Sequence, residues 1–182
     1  IVASHLDSPT FKIKPNGEIT QPNYKLLNTE VYGGPIFNTW MDRPLGIAGR
    51  VIVDSEDGVC AKLINIKEPM VFIPNLPIHY NRNVNKGVEL NPQVDMLPIF
   101  ADKLVSDTSL NSIIAKYANV IEDDILSADL YLTVLDRGCL VGANKEFIMA
   151  PQIDNLECSF GCLESLINSS NSKSVNVCAL FD

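Results

Sequence analysis

Runs of isoleucine, valine and leucine, broken at short intervals by turn residues, constrain this chain more than any other feature. Residues 45–53, 60–67 and 70–73 are rich in branched apolar side chains, and the polar stretch Asp54-Ser55-Glu56-Asp57-Gly58 separates the first two. Branched side chains pack well on a pleated surface, whereas short polar side chains hydrogen-bond a reversing backbone. That rhythm predicts antiparallel sheet. Residues 11–14 and 25–32 predict two more strands, separated by Pro15-Asn16-Gly17 and a polar connection, and Gly33-Gly34-Pro35 then breaks the pattern. Another strand is predicted over 129–135, with Leu130, Leu132 and Val134 on one side. One helix is predicted over 109–119, where Leu110, Ile113, Ile114 and Tyr117 form an apolar face. Internal repeats, low-complexity tracts and long flexible linkers are absent from the sequence.

A polar pair stands out against this apolar background. His5-Leu6-Asp7-Ser8-Pro9 follows Ile1-Val2-Ala3 directly, and on a strand positions 5 and 7 face the same way. A metal-binding imidazole commonly passes its second ring nitrogen to a carboxylate, which fixes the tautomer and strengthens the ligand. The plainer alternative is a hydrogen-bonded histidine at a strand end. Much later, Ala150-Pro151-Gln152-Ile153-Asp154-Asn155-Leu156 sets a carboxylate immediately before a helical pattern. Leu156, Phe160, Leu163 and Ile167 recur at helical spacing and predict one buried stripe. Asp154 is then a natural N-cap, with Glu157 completing the spacing of a capping box. A ligand role is compatible with capping, because a cap fixes where the second carboxylate oxygen points.

Composition narrows the function classes. The 182 residues carry a net charge of −8, which leaves no basic stripe to neutralise phosphates and argues against nucleic-acid binding. No apolar run approaches the ~20 residues that span a membrane, and no positively charged leader precedes an apolar core. Five cysteines, Cys60, Cys139, Cys158, Cys162 and Cys178, are an odd number at irregular spacing, which points to a reducing cytoplasm. Cys158 and Cys162 lie one helical turn apart; without a second pair they read as small buried side chains.

Several blocks in order resemble one family. They are His5-Leu6-Asp7-Ser8-Pro9, Val31-Tyr32-Gly33-Gly34-Pro35-Ile36, Asn38-Thr39-Trp40-Met41-Asp42-Arg43-Pro44-Leu45 and Ala48-Gly49-Arg50-Val51. Ile73-Pro74-Asn75-Leu76-Pro77-Ile78-His79, Asn81-Arg82-Asn83, Phe147-Ile148 and Ala150-Pro151-Gln152-Ile153-Asp154-Asn155 continue the match. Together they resemble the aspartyl aminopeptidases, a family of dizinc metallopeptidases. The resemblance implies an α/β fold: part of a dizinc-peptidase catalytic domain, interrupted by an inserted, mostly antiparallel β domain with a helix that serves dimerisation. On this reading residues 1–37 and 145–182 are catalytic segments and 38–144 the insertion.

The resemblance also implies roles. His5 matches a zinc ligand, Asp7 the carboxylate that supports the site, and Asp154 the aspartate bridging two zinc ions. His79 reads on its own as a core or interface imidazole; by resemblance it reaches into the active site of a neighbouring subunit and polarises substrate. The implied reaction is hydrolysis of the first peptide bond of a peptide, Asp or Glu being favoured at the N-terminus. Implied assemblies are homodimers and larger tetrahedral oligomers. The family's glutamate base, its glutamate ligand, a later aspartate ligand and the last histidine have no counterpart among these residues, and only His5 and His79 are histidines. Residues 175–182 resemble the strand that precedes the glutamate pair. The expectation is therefore a segment inactive alone, and the alternative a non-catalytic dimerisation or assembly module.

Overall fold

The structure, a computed structural model, describes residues 1–105, 108–170 and 173–182. Its elements run β1 (Val2–His5), β2 (Thr10–Thr20), β3 (Tyr24–Tyr32), β4 (Leu45–Val53), β5 (Cys60–Val71), β6 (Ile99–Asp102) and α1 (Leu110–Ala118). After these come β7 (Ile125–Val134), β8 (Cys139–Val141), β9 (Phe147–Met149), α2 (Ile153–Ile167) and β10 (Cys178–Phe181). They form two compact units, one of Thr10–Leu135 and one of Ile1–Pro9 with Asp136–Asp182.

The Thr10–Leu135 unit is an antiparallel sheet in the order β5-β4-β7-β2-β3-β6. Its spine is the β4–β7 ladder, which runs in register from Leu45↔Val134 to Val53↔Ile125 with one irregularity near the end. Phe72 and Ile99 exchange backbone hydrogen bonds of 3.3 and 2.8 Å, so the end of β5 meets β6 and the sheet curls on itself. The concave side is filled by Phe11, Leu27, Leu45, Ile47, Ile66, Ile73, Met96, Leu130 and Leu132. Trp40 packs edge-on against Phe11, with ring centroids 5.4 Å apart, a favourable arrangement for the two ring quadrupoles. From α1, Leu110, Ile114 and Ala118 enter the same core.

The ends of α1 show why it starts and stops where it does. Ser109 accepts a 3.0 Å hydrogen bond from the Ser112 amide and so caps the first turn. Asn119 takes the left-handed conformation at the other end (φ 53°, ψ 58°). Lys62 from β5 approaches the carbonyls of Ala118 and Asn119 at 3.4 and 3.3 Å, a cation at the negative end of the helix.

Two glycines are required where β4 lies closest to its neighbours. A Cβ at Gly49 would run into the Asp129 backbone carbonyl, and one at Gly46 into that of Ile66.

Some expected elements differ. Pro15-Asn16-Gly17 does not end a strand: β2 continues to Thr20 and absorbs those residues in a register shift between Ile13 and Glu18, which is where a strand tolerates a proline. Residues 60–67 and 70–73 are almost entirely one strand, β5. Strands β2 and β3 pair with β7 and β6 inside the curled sheet, so residues 10–37 are part of the compact unit Thr10–Leu135. Strands β6, β8 and β9 are only three or four residues long and gave no sustained pattern.

In the other unit β1 and β10 are parallel, with Val2↔Cys178 through His5↔Phe181 in register. Strands β8 and β9 make a hairpin. The α2 stripe expected to be buried is not: Leu156, Phe160, Leu163 and Ile167 are 42–65 % exposed, and Ser159 is the buried residue of the helix. Cys158 is likewise exposed and Cys162 half-buried, since they share the helix with that open stripe.

On the convex side of the sheet Lys12 lies 2.8 Å from Asp129, and Arg50 3.6 Å from the other carboxylate oxygen. The Lys12 hydrogen bond and charge hold the Asp129 carboxyl below the usual carboxylate range, and Asp129 in turn raises Lys12.

Two stability tests follow from this packing. Leu132→Ala, at a buried position, should cost ~2–5 kcal/mol in denaturant unfolding. Because the folded Asp129 pKa is depressed, its contribution is complete above the unfolded value of ~3.9 and fades as pH falls through the lower folded value. Asp129→Asn should therefore cost ~0.2–1 kcal/mol at neutral pH, as a partly exposed pair does. That difference should vanish in strong acid, and a difference unchanged between pH 7 and pH 2 would exclude this origin.

Candidate metal centre

His5 is the last residue of β1, at the carboxyl end of a strand in parallel pairing. Side chains at such ends are the ones that line sites in parallel α/β sheets. Asp7 lies just past the strand, so strand alternation is not what brings the two together; the chain turns and sets His5 Nδ1 at 3.0 Å from Asp7 Oδ1 and 3.2 Å from the Asp7 carbonyl. The other ring nitrogen, Nε2, is 3.4 Å from Asp154 Oδ1. His5 and Asp154 thus converge although they are 154 − 5 = 149 positions apart in sequence.

Asp154 does not cap a regular helix as its sequence context suggested. Gln152 before it has a left-handed backbone, and Asp154 (φ −81°, ψ 111°) and Asn155 (φ −121°, ψ 29°) are non-helical, with a cis peptide between them. Regular helix begins beyond Asn155, and the carboxylate of Asp154, 92 % exposed, is turned to His5.

The electrostatics of this trio select a cation. When Nδ1–H donates to Asp7, a neutral imidazole offers its Nε2 lone pair directly to an oxygen of Asp154. Two lone pairs facing one another repel unless a proton or a metal ion stands between them. Zinc bonds of ~2.0–2.1 Å to nitrogen and oxygen in a tetrahedron separate the two donors by ~3.3 Å, close to the observed 3.4 Å. The donor types, the spacing and the carboxylate behind the imidazole all fit zinc. His5 and Asp154 supply two donors; among the described residues no group of three or more His, Cys, Asp or Glu side chains forms a metal-binding cluster.

His79 belongs to the curled-sheet unit and is exposed in a turn after Pro77, where the amides of Tyr80 and Asn81 both donate to the Pro77 carbonyl at 2.9 and 3.1 Å. The segment is anchored from behind: the Asp42 amide donates to Ile73 O (2.9 Å), and the Asp42 carboxylate accepts from the Asn75 amide (2.8 Å). Leu76, Ile78 and Tyr80 around His79 are exposed as well.

Three polar residues beside the centre escaped the sequence reading. Ser4, Asn155 and Ser159 hydrogen-bond one another behind His5. The one legible signal was Ser159, a hydroxyl in the middle of an apolar helical segment.

The whole chain, residues 1–182, matches the family described as aminopeptidase I zinc metalloprotease (M18). The chain belongs to the M18 family. A Clostridium acetobutylicum relative, named "Probable M18 family aminopeptidase 2", is 48% identical over 188 residues, which cover 100% of this M18 chain and 43% of the relative. Its counterpart in Pseudomonas entomophila is 34% identical over 184 residues, 98% of this chain and 43% of the relative. The chain therefore spans less than half the length of these curated relatives. Among solved structures, Chaetomium thermophilum mApe1 superposes with a TM-score of 0.84 at 27% identity, over 100% of this chain and 45% of that one. The mixed α/β fold with an antiparallel curled sheet is thus that of M18 aminopeptidases. No helix among the described residues is long and apolar enough to cross a membrane.

Proposed function

We propose that the full-length protein is a zinc aminopeptidase that removes N-terminal residues, Asp or Glu by preference, from peptides, and that this segment supplies His5 and Asp154 as zinc ligands. The observation that carries the reading is the placement of His5 between two carboxylates, with 3.0 Å between Nδ1 and Asp7 Oδ1 and 3.4 Å between Nε2 and Asp154 Oδ1. Asp7 holds the imidazole in the tautomer that keeps Nε2 free for a metal. Asp154, with two oxygens and high exposure, would hold zinc and could serve two ions at once. Bound zinc would polarise the scissile carbonyl and acidify a water. Two protein donors do not close a zinc site, so the remaining ligands and the general base come from chain outside residues 1–182, and the segment alone is inactive. M18 membership supports the peptidase chemistry.

The curled-sheet unit is, on the same proposal, the insertion through which copies of the protein dimerise and build larger tetrahedral assemblies. His79 is its contribution to the active site of a neighbouring copy, where its ring would donate to the oxygen on which charge develops. The exposed Leu76, Ile78 and Tyr80 support this, being apolar area available to a partner chain. Five free cysteines support a reducing cytoplasmic setting. A non-catalytic assembly module is the competing reading, favoured by the lack of a third converging donor among the described residues; zinc content and hydrolysis of aspartyl and leucyl chromogenic substrates by the full-length protein decide between them.

Two substitutions in the full-length protein test the roles. Asp7→Asn should leave the fold intact and weaken zinc affinity or turnover ~10- to 100-fold, the usual cost of losing a carboxylate behind a metal-bound imidazole; unchanged zinc content and kinetics would return Asp7 to a local hydrogen-bonding role. His79→Phe should keep zinc and dimers while lowering kcat/KM by ~10²- to 10³-fold, as loss of one oxyanion donor does. Mixing the inactive His79→Phe and Asp154→Asn proteins should restore activity on subunit exchange, since a mixed dimer holds one site with both residues intact. No recovery despite demonstrated exchange would place His79 in its own subunit's chemistry or outside it.

A further inference from the structure

Behind the metal centre lies a chain of polar groups that a structural serine or asparagine alone would not require. Ser4 and Ser159 are 8 % and 5 % exposed, the former on β1 next to His5 and the latter in α2. Asn155 Nδ2 donates to Ser4 Oγ at 2.8 Å, the Ser4 and Ser159 hydroxyls are 3.1 Å apart, and Ser159 Oγ is 2.8 Å from the His5 carbonyl.

The chemistry of the two ends fixes the direction of the whole chain. An amide nitrogen only donates and a backbone carbonyl only accepts. Ser159 has one proton, and the His5 carbonyl at 2.8 Å is a nearer acceptor for it than Ser4 Oγ at 3.1 Å. Ser4 then has two acceptors within reach, Ser159 Oγ at 3.1 Å and the His5 carbonyl at 3.4 Å, while its own lone pair receives the proton of Asn155. With Ser4 donating to the nearer Ser159, both buried hydroxyls give and receive one hydrogen bond, and successive bonds polarise one another in the same sense. The two ends of this relay are the main chain of His5 and the residue directly after Asp154. It joins the backbone that carries one zinc donor to the backbone that carries the other, across 149 positions of sequence.

We propose that Ser159, with Ser4 and Asn155, positions the metal ligands of the M18 centre: the relay sets the spacing between His5 Nε2 and Asp154 Oδ1. This rests on the zinc reading above. None of the three touches zinc or substrate, so they are positioning residues. The reason such a device is needed lies in the exposure of the ligands themselves. His5 and Asp154 side chains are 48 % and 92 % exposed, so packing around them does not hold them. Their spacing is held through the backbone behind them, and that backbone is fixed by buried hydrogen bonds.

The test is zinc affinity of the full-length protein, read by competition with a chromogenic chelator, alongside the thermal midpoint of the metal-free form. Ser159→Ala removes the shorter of the two hydroxyl contacts to the His5 carbonyl, 2.8 Å against 3.4 Å from Ser4, and should lower zinc affinity ~10- to 100-fold, the loss typical of residues that orient ligands. Ser159→Thr, which keeps the hydroxyl, should stay within about threefold of the parent on the same scale. Asn155→Ala interrupts the relay from its half-exposed end and should lower affinity in the same direction, which keeps the proposal testable if Ser159→Ala does not fold. His5→Ala serves as the reference. If His5→Ala abolishes zinc binding while Ser159→Ala and Asn155→Ala shift only the metal-free thermal midpoint, the positioning proposal is overturned and the zinc reading stands. If His5→Ala leaves zinc binding unchanged, the zinc reading itself falls.

Discussion

The parallel pairing of β1 with β10 is the constraint on which the rest depends. Parallel neighbours cannot be joined by a tight turn; they need a crossover connection. Here Val2–His5 pairs with Cys178–Phe181, so nearly the whole chain lies within that crossover. One consequence is that the intervening residues must satisfy their own hydrogen bonds and bury their own apolar side chains. Thr10–Leu135 does so by curling a six-stranded sheet around Phe11, Leu45, Ile47, Leu130 and Leu132. The other consequence is that α2, the last helix before β10, packs against β1 and brings Asp154 to His5.

Charge then decides what such a meeting is good for. Two carboxylates flank one imidazole, at 3.0 and 3.4 Å from its two nitrogens. Buried, three such groups would carry a heavy desolvation cost. Their exposure removes most of that cost and leaves a negative, half-open cradle. A cation with nitrogen and oxygen preferences is the natural complement, and it would relieve the repulsion between Nε2 and Asp154.

The sheet was legible because its signal is repeated. In β4, Leu45, Ile47, Val51 and Val53 point inward over the length of the strand, and Leu130 and Leu132 of β7 keep the same period beside them. Helix α1 was legible because Leu110, Ile113, Ile114 and Tyr117 recur at helical spacing over one short segment, which Ser109 and Asn119 cap at its two ends. The short strands β6, β8 and β9 were not, since three or four residues cannot establish a period. His5, Asp7 and Asp154 were legible as residue types in recognisable surroundings, but their approach is a long-range fact that no local pattern encodes. Even the expected geometry was wrong in detail: Asp7 reaches His5 through a turn, not across one strand face, and Asp154 precedes regular helix without capping it.

Helix α2 shows why the remainder was hidden. Its apolar period marks Leu156, Phe160, Leu163 and Ile167, yet the face that meets β1 is the one with Ser159. Hydrophobic patterning locates faces that should leave water; it does not say which face meets which neighbour. A small hydroxyl permits close approach of helix to strand and spends its hydrogen bond on the His5 carbonyl, so the contact is directional where apolar packing would let the elements slide. Spacing between two metal ligands demands that directionality more than it demands buried area, and the polar face is accordingly the one turned towards the strand that carries His5.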